Sequence, residues 1–214
     1  MLRRIDAVWR TRGPGGFARF IASRVFSRRR DLVFEADAAG LAPPPPWEGP
    51  GELVCVTPAT AERLLTPSLV AQLSQGEGAA YVEGLRGGDM LVAVVDESGR
   101  ILHHSFVLFR TRTKALLAEA QTVPLFANCV TRAEARGHRI YPRALRHGLG
   151  MLAALGHARA VINCDPSNRA SVRGIEYAGF RLIRETVTWS VLSRIALQVG
   201  HDPAGRRFVR IYWG

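Results

Sequence analysis

The sequence lacks the long apolar run and the paired cysteines that mark membrane-spanning and disulfide-stabilised proteins. No apolar segment approaches the roughly 20 residues that a transmembrane helix requires, and none follows the basic N-terminus as in a cleaved signal peptide. The three cysteines, Cys55, Cys129 and Cys164, are widely spaced and form no C-x-x-C pair. We therefore expect a cytoplasmic protein without a disulfide framework or a metal site.

Acidic residues are scarce at the N-terminus. Residues 1–30 contain nine arginines and a single acid, Asp6, so they carry +8 of the net charge of +11. A nucleic-acid-binding domain usually spreads its positive charge over a folded face and interleaves aromatic residues with it. Because the basicity belongs to one terminal segment, we expect no nucleic-acid partner.

The basic segment has apolar residues at helical spacing over residues 15–30, with arginines between them, which predicts a short amphipathic helix. Such a helix could pack on the domain or on the second subunit of a homodimer. It could also lie peripherally on an anionic membrane surface. Four successive prolines within residues 40–51 then predict an extended spacer. We therefore divide the chain into a basic arm and linker over 1–49 and a domain over 50–214.

Within the domain, apolar patterns and turn residues predict a mixed α/β fold. The predicted strands are 52–58, 90–96, 101–109, 123–131, 158–165, 180–192 and 206–214, and the predicted helices are 59–75, 140–156 and 167–179. The turn at 97–100 joins two strands as a hairpin. Antiparallel strands come first and a strand–helix–strand–helix–strand run follows, so the fold class is α/β with a mixed, mostly antiparallel central sheet.

The turn before the helix 140–156 is rich in arginine. The segment CVTRAEARGHRIYP (129–142) contains Arg132, Arg136 and Arg139 beside Gly137. The N-terminus of a helix presents unpaired N–H groups and the positive end of the helix dipole. This turn is therefore a candidate site for an anion such as a diphosphate.

A second segment, NCDPSNRASVRGIEYAGF (163–180), contains an N-x-x-S motif and ends in Gly-Phe. Together the two segments resemble the GNAT acetyltransferase superfamily, in a form with R-G-x-x-I-Y-P in the loop, over roughly residues 50–190. The resemblance implies a central sheet with splayed strands and flanking helices. It implies acetyl-CoA or another acyl-CoA as co-substrate, and an N-acyltransferase that acts by direct transfer on an amine of a small metabolite or sugar.

The resemblance also implies roles for individual residues. The pyrophosphate would bind the loop that Arg136 opens, through the backbone of Gly137, His138, Arg139, Ile140 and Tyr141. Cys129 and Val130 would offer strand-edge backbone to the pantetheine amides, as an added strand does. The amide of Val130 would also stabilise the oxyanion. Asn168 and Ser171 would face the pantetheine or the diphosphate.

Two features depart from the family pattern. Arg139 and Tyr141 occupy positions where the pattern has glycine or another small residue, and the conformational freedom of glycine is lost there. Many members also carry a tyrosine, as the acid for the leaving thiolate, at the position of Ile175. Tyr177 is two residues away on the helix, which turns it about 200° from that direction, so we assign it no such role.

The general base has several candidates. His103 and His104 lie on the strand 101–109 and alternate between its faces, so at most one points into the cleft. Glu83 and Asp89 precede that strand. Cys129 is expected to be a packed residue rather than a nucleophile.

Two alternatives to this function remain open at this point. The absent tyrosine and the altered loop also suit a non-catalytic acyl-CoA-binding or sensing protein that docks on a membrane or a partner through its basic arm. A third possibility retains the transferase but changes the donor to a long-chain acyl group or an acyl carrier protein, whose acidic surface the arm would suit.

Overall fold

Nine strands and five helices make up the part of the chain that the structure describes. This computed structural model describes residues 26–44, 46–75, 78–111, 113–114, 117, 119–191, 195–202 and 204–213. The strands are β1 (Phe26–Asp37), β2 (Glu52–Val56), β3 (Met90–Val95), β4 (Ile101–Leu108), β5 (Leu125–Thr131), β6 (Arg159–Cys164), β7 (Arg181–Val191), β8 (Ile195–His201) and β9 (Arg207–Trp213). The helices are α1 (Ala61–Leu64), α2 (Pro67–Leu73), α3 (Gly78–Arg86), α4 (Ile140–Ala154) and α5 (Arg169–Tyr177).

The chain divides into two units, one spanning residues 32–183 and the other built from the flanking segments. In the first unit the strand order is β2-β3-β4-β5-β6-β1, with every neighbouring pair antiparallel except the parallel pair β5–β6. The second unit holds an antiparallel series in which β8 lies between β7 and β9. The predicted fold class, α/β with a mixed and mostly antiparallel sheet, is confirmed.

The first unit packs helices on both faces of its sheet. On one face α4 and α5 bury a cluster that includes Phe126, Leu145, Leu152, Ile162 and Ile175. On the other face α2 and α3 cover a second cluster, which includes Leu69, Leu85, Leu91 and Phe106. Because β3 and β4 are buried on both faces, they form the centre of this three-layer arrangement.

The predicted helix 59–75 is two short helices. Thr66 has an extended backbone and its hydroxyl accepts a hydrogen bond from the N–H of Leu69 at 3.3 Å, so it is an N-cap. Pro67 follows at the first helical position, which proline favours and where a continuous helix would break. The other predicted strands and helices lie where expected, with their ends shifted by a few residues.

Strand β1 corrects the prediction for the N-terminal segment. Residues 15–25 lie outside the described residues, but Phe26–Arg30 belong to a strand and not to the predicted amphipathic helix. Residues 32–37 pair with β6, so the sheet begins before the boundary that the sequence predicts near residue 49. The arginine density concealed the strand, whose Val33 and Phe34 are buried.

Strand β8 and helix α3 were also absent from the sequence prediction. In β8 alternate residues are buried, a pattern that the apolar residues on its exposed face conceal. Helix α3 begins at Gly78, a weak helix former. Within the described residues, no helix combines the length and the apolar character that crossing a bilayer requires.

Candidate functional site

A bulge in β5 shapes the centre of the candidate site. His104 of β4 lies opposite Val130, and Phe106 lies opposite Ala127, so Asn128 and Cys129 together face a single residue of β4. Asn128 has a φ of 46°, in the left-handed region that asparagine tolerates better than most residues. A bulge bends its strand and redirects the following side chains, so it sets where residues 128–132 point.

The strands β5 and β6 separate just where the bulge begins. Their parallel pairing includes two positions, Leu125 with Val161 and Phe126 with Ile162. Beyond these positions β5 continues to Thr131 and β6 to Cys164 without a shared ladder. The edge of β5 that faces this gap therefore presents backbone groups to which an extended ligand could bind as an added strand.

The loop from β5 to α4 turns on two residues with positive φ. A short 3₁₀ turn, Ala133–Ala135, leads to Gly137 at a φ of 89° and to Arg139 at a φ of 56° and a ψ of 24°. Arg139 thus adopts the left-handed conformation at a position where the family pattern has glycine, at a cost of about 1–3 kcal/mol. The loop keeps the glycine-like backbone path although the glycine is replaced.

The N–H groups of residues 137–141 meet at the start of α4. Among the described residues, none of these five groups donates to a hydrogen bond. Residues 136–139 are exposed, and Arg136 bonds back to the carbonyl of Thr131 through Nε at 3.3 Å. A series of unpaired N–H groups at a helix N-terminus, flanked by arginines, is suited to bind a phosphate or diphosphate.

The structure brings the two sequence motifs together through Tyr141. Its hydroxyl lies 3.4 Å from the hydroxyl of Ser171 on α5. Asn168 is the N-cap of α5, because its Oδ1 accepts from the N–H of Ser171 at 3.1 Å. The Tyr141 ring packs near Cys129 of β5 and Cys164 of β6, which places it at the gap between these strands.

The residues expected to lack a catalytic role have other functions. Ile175 is fully buried in the core beneath α4 and α5. Tyr177 is exposed, and its hydroxyl accepts from Nη1 of Arg139 at 2.7 Å, while the guanidinium carbons of Arg139 and Arg146 lie 5.0 and 5.1 Å from its ring centre. Tyr177 therefore holds Arg139 of the loop and Arg146 of α4 against the surface of α5.

His103 is a buried structural histidine. Its Nδ1 lies 2.8 Å from the hydroxyl of Thr131 and its Nε2 lies 2.9 Å from the hydroxyl of Ser105, so both ring nitrogens are occupied. Burial lowers the pKa of His103 to about 3, which keeps the ring neutral. His103 links β4 to β5 below Tyr141, whose ring centre is 5.7 Å away.

His104 points to the opposite face of β4, into a cavity of about 320 Å³. The cavity lies between the α2 end and β5, and the residues that line it include Gln72, Ile101, His104, Asn128, Val130 and Arg132. Burial, and secondarily the charge of Arg132, lower the pKa of His104 to about 4. Of the two histidines, His104 is the one with access to a ligand-sized space.

The remaining base candidates lie elsewhere. Glu83 is exposed on α3, 3.6 Å from Arg86. Asp89 accepts from the N–H of Phe109 at 2.8 Å, which fixes the end of β4. Burial raises the pKa of the Cys129 thiol to about 11, as expected for a packed residue and not for a nucleophile.

Sequence reasoning missed the cavity residues Gln72, Asn128 and Arg132. Gln72 lies on α2, and its side chain bonds the backbone of Gly99 and Ile101, so it closes one wall. Asn128 and Arg132 come from the bulged end of β5. The arginine was noticed as a member of the basic turn, but nothing in the sequence indicates that it faces away from the phosphate loop.

No protein-family model matches the chain, and no curated protein sequence matches it. Solved structures do match. A GCN5-related N-acetyltransferase from Sphaerobacter thermophilus is 14% identical, with a TM-score of 0.51 over 85% of this chain and 57% of that one. A GNAT-family protein from Novosphingobium aromaticivorans is 19% identical, with a TM-score of 0.51 over 76% of this chain and 65% of that one.

A third similar structure is a tandem GNAT protein from the clavulanic acid biosynthesis pathway. It is 15% identical, with a TM-score of 0.50 over 84% of this chain and 58% of that one. The chain thus spans less than two thirds of the length of each of these three structures. At these identities the likeness establishes the fold, and the chain has the GNAT fold.

Proposed function

We propose that this chain is an acyl-CoA-dependent N-acyltransferase that transfers an acyl group, most simply acetyl, to the amine of a small metabolite or sugar. One observation supports this most: three parts of a transferase site meet along β5. They are the unpaired N–H groups of residues 137–141, the gap between β5 and β6, and the cavity beside His104. The sequence resemblance and the fold point to the same chemistry.

The donor would bind along the first two of these parts. The pyrophosphate accepts from the N–H groups of residues 137–141, with Arg136 and Arg139 beside it. The pantetheine arm extends into the gap and pairs with the free edge of β5 near Cys129 and Val130. Asn168 retains an amide NH₂ group that can donate to this arm, because its cap uses the oxygen.

The transfer itself would depend mainly on placement. The unprotonated amine attacks the thioester carbonyl, an N–C bond forms, the C–S bond breaks, and the thiolate takes up a proton as the nitrogen loses one. The oxyanion donor expected at Val130 does not fit the strand register. Val130 lies opposite His104, and the N–H of residue 132 donates to β4, so the Val130 N–H also points to β4 and away from the gap. Burial, and secondarily Arg132, lower the pKa of His104 to about 4, so its neutral ring can accept a hydrogen bond from the amine but is a weak base. The amine proton would therefore leave to water.

A second candidate is a protein that binds acyl-CoA without turnover. It is favoured by Ile175, which is 0% exposed at the position where the family resemblance implies the tyrosine acid. No alternative acid on α5 replaces it among the described residues that face the gap. Binding of acyl-CoA without release of coenzyme A, across every acceptor tested, would favour this candidate over the transferase.

The experiment is a thiol-release assay with acetyl-CoA and a panel of amines and amino sugars, using the full chain. Arg136→Glu combined with Asn168→Ala should raise the KM for acetyl-CoA by about 10- to 100-fold, because charge-assisted contacts are lost. Arg63→Glu makes the same charge change on the exposed end of α1 and is the control. An unchanged KM in the double variant would refute the donor site.

A further inference from the structure

The cavity beside His104 is lined by a positive charge, which is unusual for a site that receives an amine. Among its described lining residues the single ionised side chain is Arg132, and none is a carboxylate. The other polar groups are the amides of Gln72, Gln75 and Asn128, the backbone, and the neutral ring of His104. A bare ammonium ion that enters this space meets the positive charge of Arg132 and, among the described lining residues, no carboxylate.

Arg132 is held in place but has no ionic partner in the described part of the chain. Its backbone N–H donates to the carbonyl of Leu102 at 2.9 Å, and its Nε donates to the carbonyl of Ile101. The side chain is half-buried. Nearby Arg100, in contrast, pairs with Asp96 at 3.1 Å and with Glu134 at 3.3 Å.

A half-buried guanidinium without a counter-ion is unfavourable unless a ligand supplies one. The Nε of Arg132 holds the guanidinium group against β4, and its two terminal nitrogens remain available for a second interaction. Such a fork matches the two oxygens of a carboxylate or a phosphate. The charge of Arg132 is close enough to lower the pKa of His104, so the anion site and the amine site share one cavity.

From this geometry we propose that the acceptor carries a carboxylate or phosphate in addition to its amine, and that Arg132 binds this anionic group while the amine lies toward His104. The acceptor is then an amino acid-like or phosphorylated amino compound rather than a plain amine or an uncharged amino sugar. The proposal rests on the proposed function, because it names the class of acceptor for the same site.

Matched pairs of acceptors test the proposal. Their binding to the full chain is measured directly by calorimetry or by ligand-observed NMR. Glycine is compared with methylamine, and O-phosphoethanolamine with ethanolamine, so that the two arms separate carboxylate from phosphate. In at least one pair, we expect the member with the carboxylate or phosphate to bind about 10- to 100-fold more tightly than the plain amine. Arg132→Met should remove this preference, Arg132→Lys should retain part of it, and Arg63→Met should leave it unchanged.

Equal binding of the plain amines, absence of binding by every probe with a carboxylate or phosphate, or a preference that survives Arg132→Met would each overturn the proposal. Thiol release from acetyl-CoA with the same probes separates it from the proposed function. Anion-dependent binding without thiol release would refute the transferase and leave the anion site intact. Thiol release that favours the plain amines would refute the anion site and leave the transferase intact.

Discussion

Tyr141 packs its ring directly on the backbone of Gly174: a Cβ on Gly174 would lie 2.6 Å from Cδ1 and 2.9 Å from Cε1 of Tyr141. The contact joins the first turn of α4 to the middle of α5. It explains how the loop accommodates an aromatic residue where the family pattern has a small one, because the space is provided by the glycine on the opposite helix. It also holds Tyr141 beside the gap between β5 and β6.

Substituting Gly174 with alanine should therefore destabilise the protein, although alanine is the better helix former by about 1 kcal/mol. The forced displacement of Tyr141 should outweigh this gain and lower the free energy of unfolding by about 1–3 kcal/mol. In a Tyr141→Ala background the same Gly174→Ala change should be neutral or stabilising. Urea unfolding of the four proteins measures the coupling, and additive effects would contradict the packing described.

Gly137 and Gly156 form a matched pair for testing the phosphate loop. Both have positive φ, 89° and 83°, and a Cβ on either would meet open space, so alanine strains the backbone without a steric clash. Each substitution should cost about 1–3 kcal/mol of stability. Gly137→Ala alone should weaken acetyl-CoA binding, because it lies among the N–H groups proposed to hold the pyrophosphate. Equal binding by the two variants would argue against that role.

The buried histidine His103 predicts an acid-sensitive stability. Burial lowers its pKa to about 3 in the folded protein, below the ordinary value of 6.5. Above pH 6.5 the ring is neutral in both states and has no effect. As pH falls from 6.5 toward 3 the unfolded chain takes up a proton that the folded chain does not, so stability falls by up to about 1.4 kcal/mol per pH unit.

His103→Gln should remove that part of the pH dependence, and chemical unfolding at pH 7 and pH 4.5 measures it. The quantity compared is the loss of stability between pH 7 and pH 4.5 in wild type and in the variant. The comparison is needed because carboxylates add to the acid sensitivity of both proteins. The variant should lose less stability on acidification than wild type does. An identical loss in the two proteins would show that His103 is not buried in its neutral form.

Much of the fold was predictable because the apolar pattern of its central helices and strands fits one type of secondary structure. Helix α4 shows clear helical periodicity, and β3 is a continuous apolar run that ends before a turn. Strand β1 was missed since arginines dominate the residues before Leu32, and the alternation that follows is short. Its pairing with β6 depends on a partner more than 120 residues away, which no local pattern reveals.

For the candidate site, the sequence predicts which backbone segments form it. It does not predict the directions in which their side chains point. The spacing of Arg136, Gly137 and Asn168 located the loop and the cap that the structure brings together. The bulge at Asn128 sets where residues 128–132 point, and a bulge arises from long-range pairing. For the same reason the sequence did not indicate that Arg132 lines the cavity.

The central claim is that acyl-CoA binds at the start of α4 and along β5, and hydrogen exchange with and without acetyl-CoA tests it most directly. The N–H groups of residues 137–141 have no partner among the described residues, so they should exchange fast in the free protein and slowly in the complex. The edge of β5 that faces the gap should gain protection as well. Unchanged exchange over residues 129–141 at a saturating concentration of acetyl-CoA, or the absence of any binding, would contradict the account.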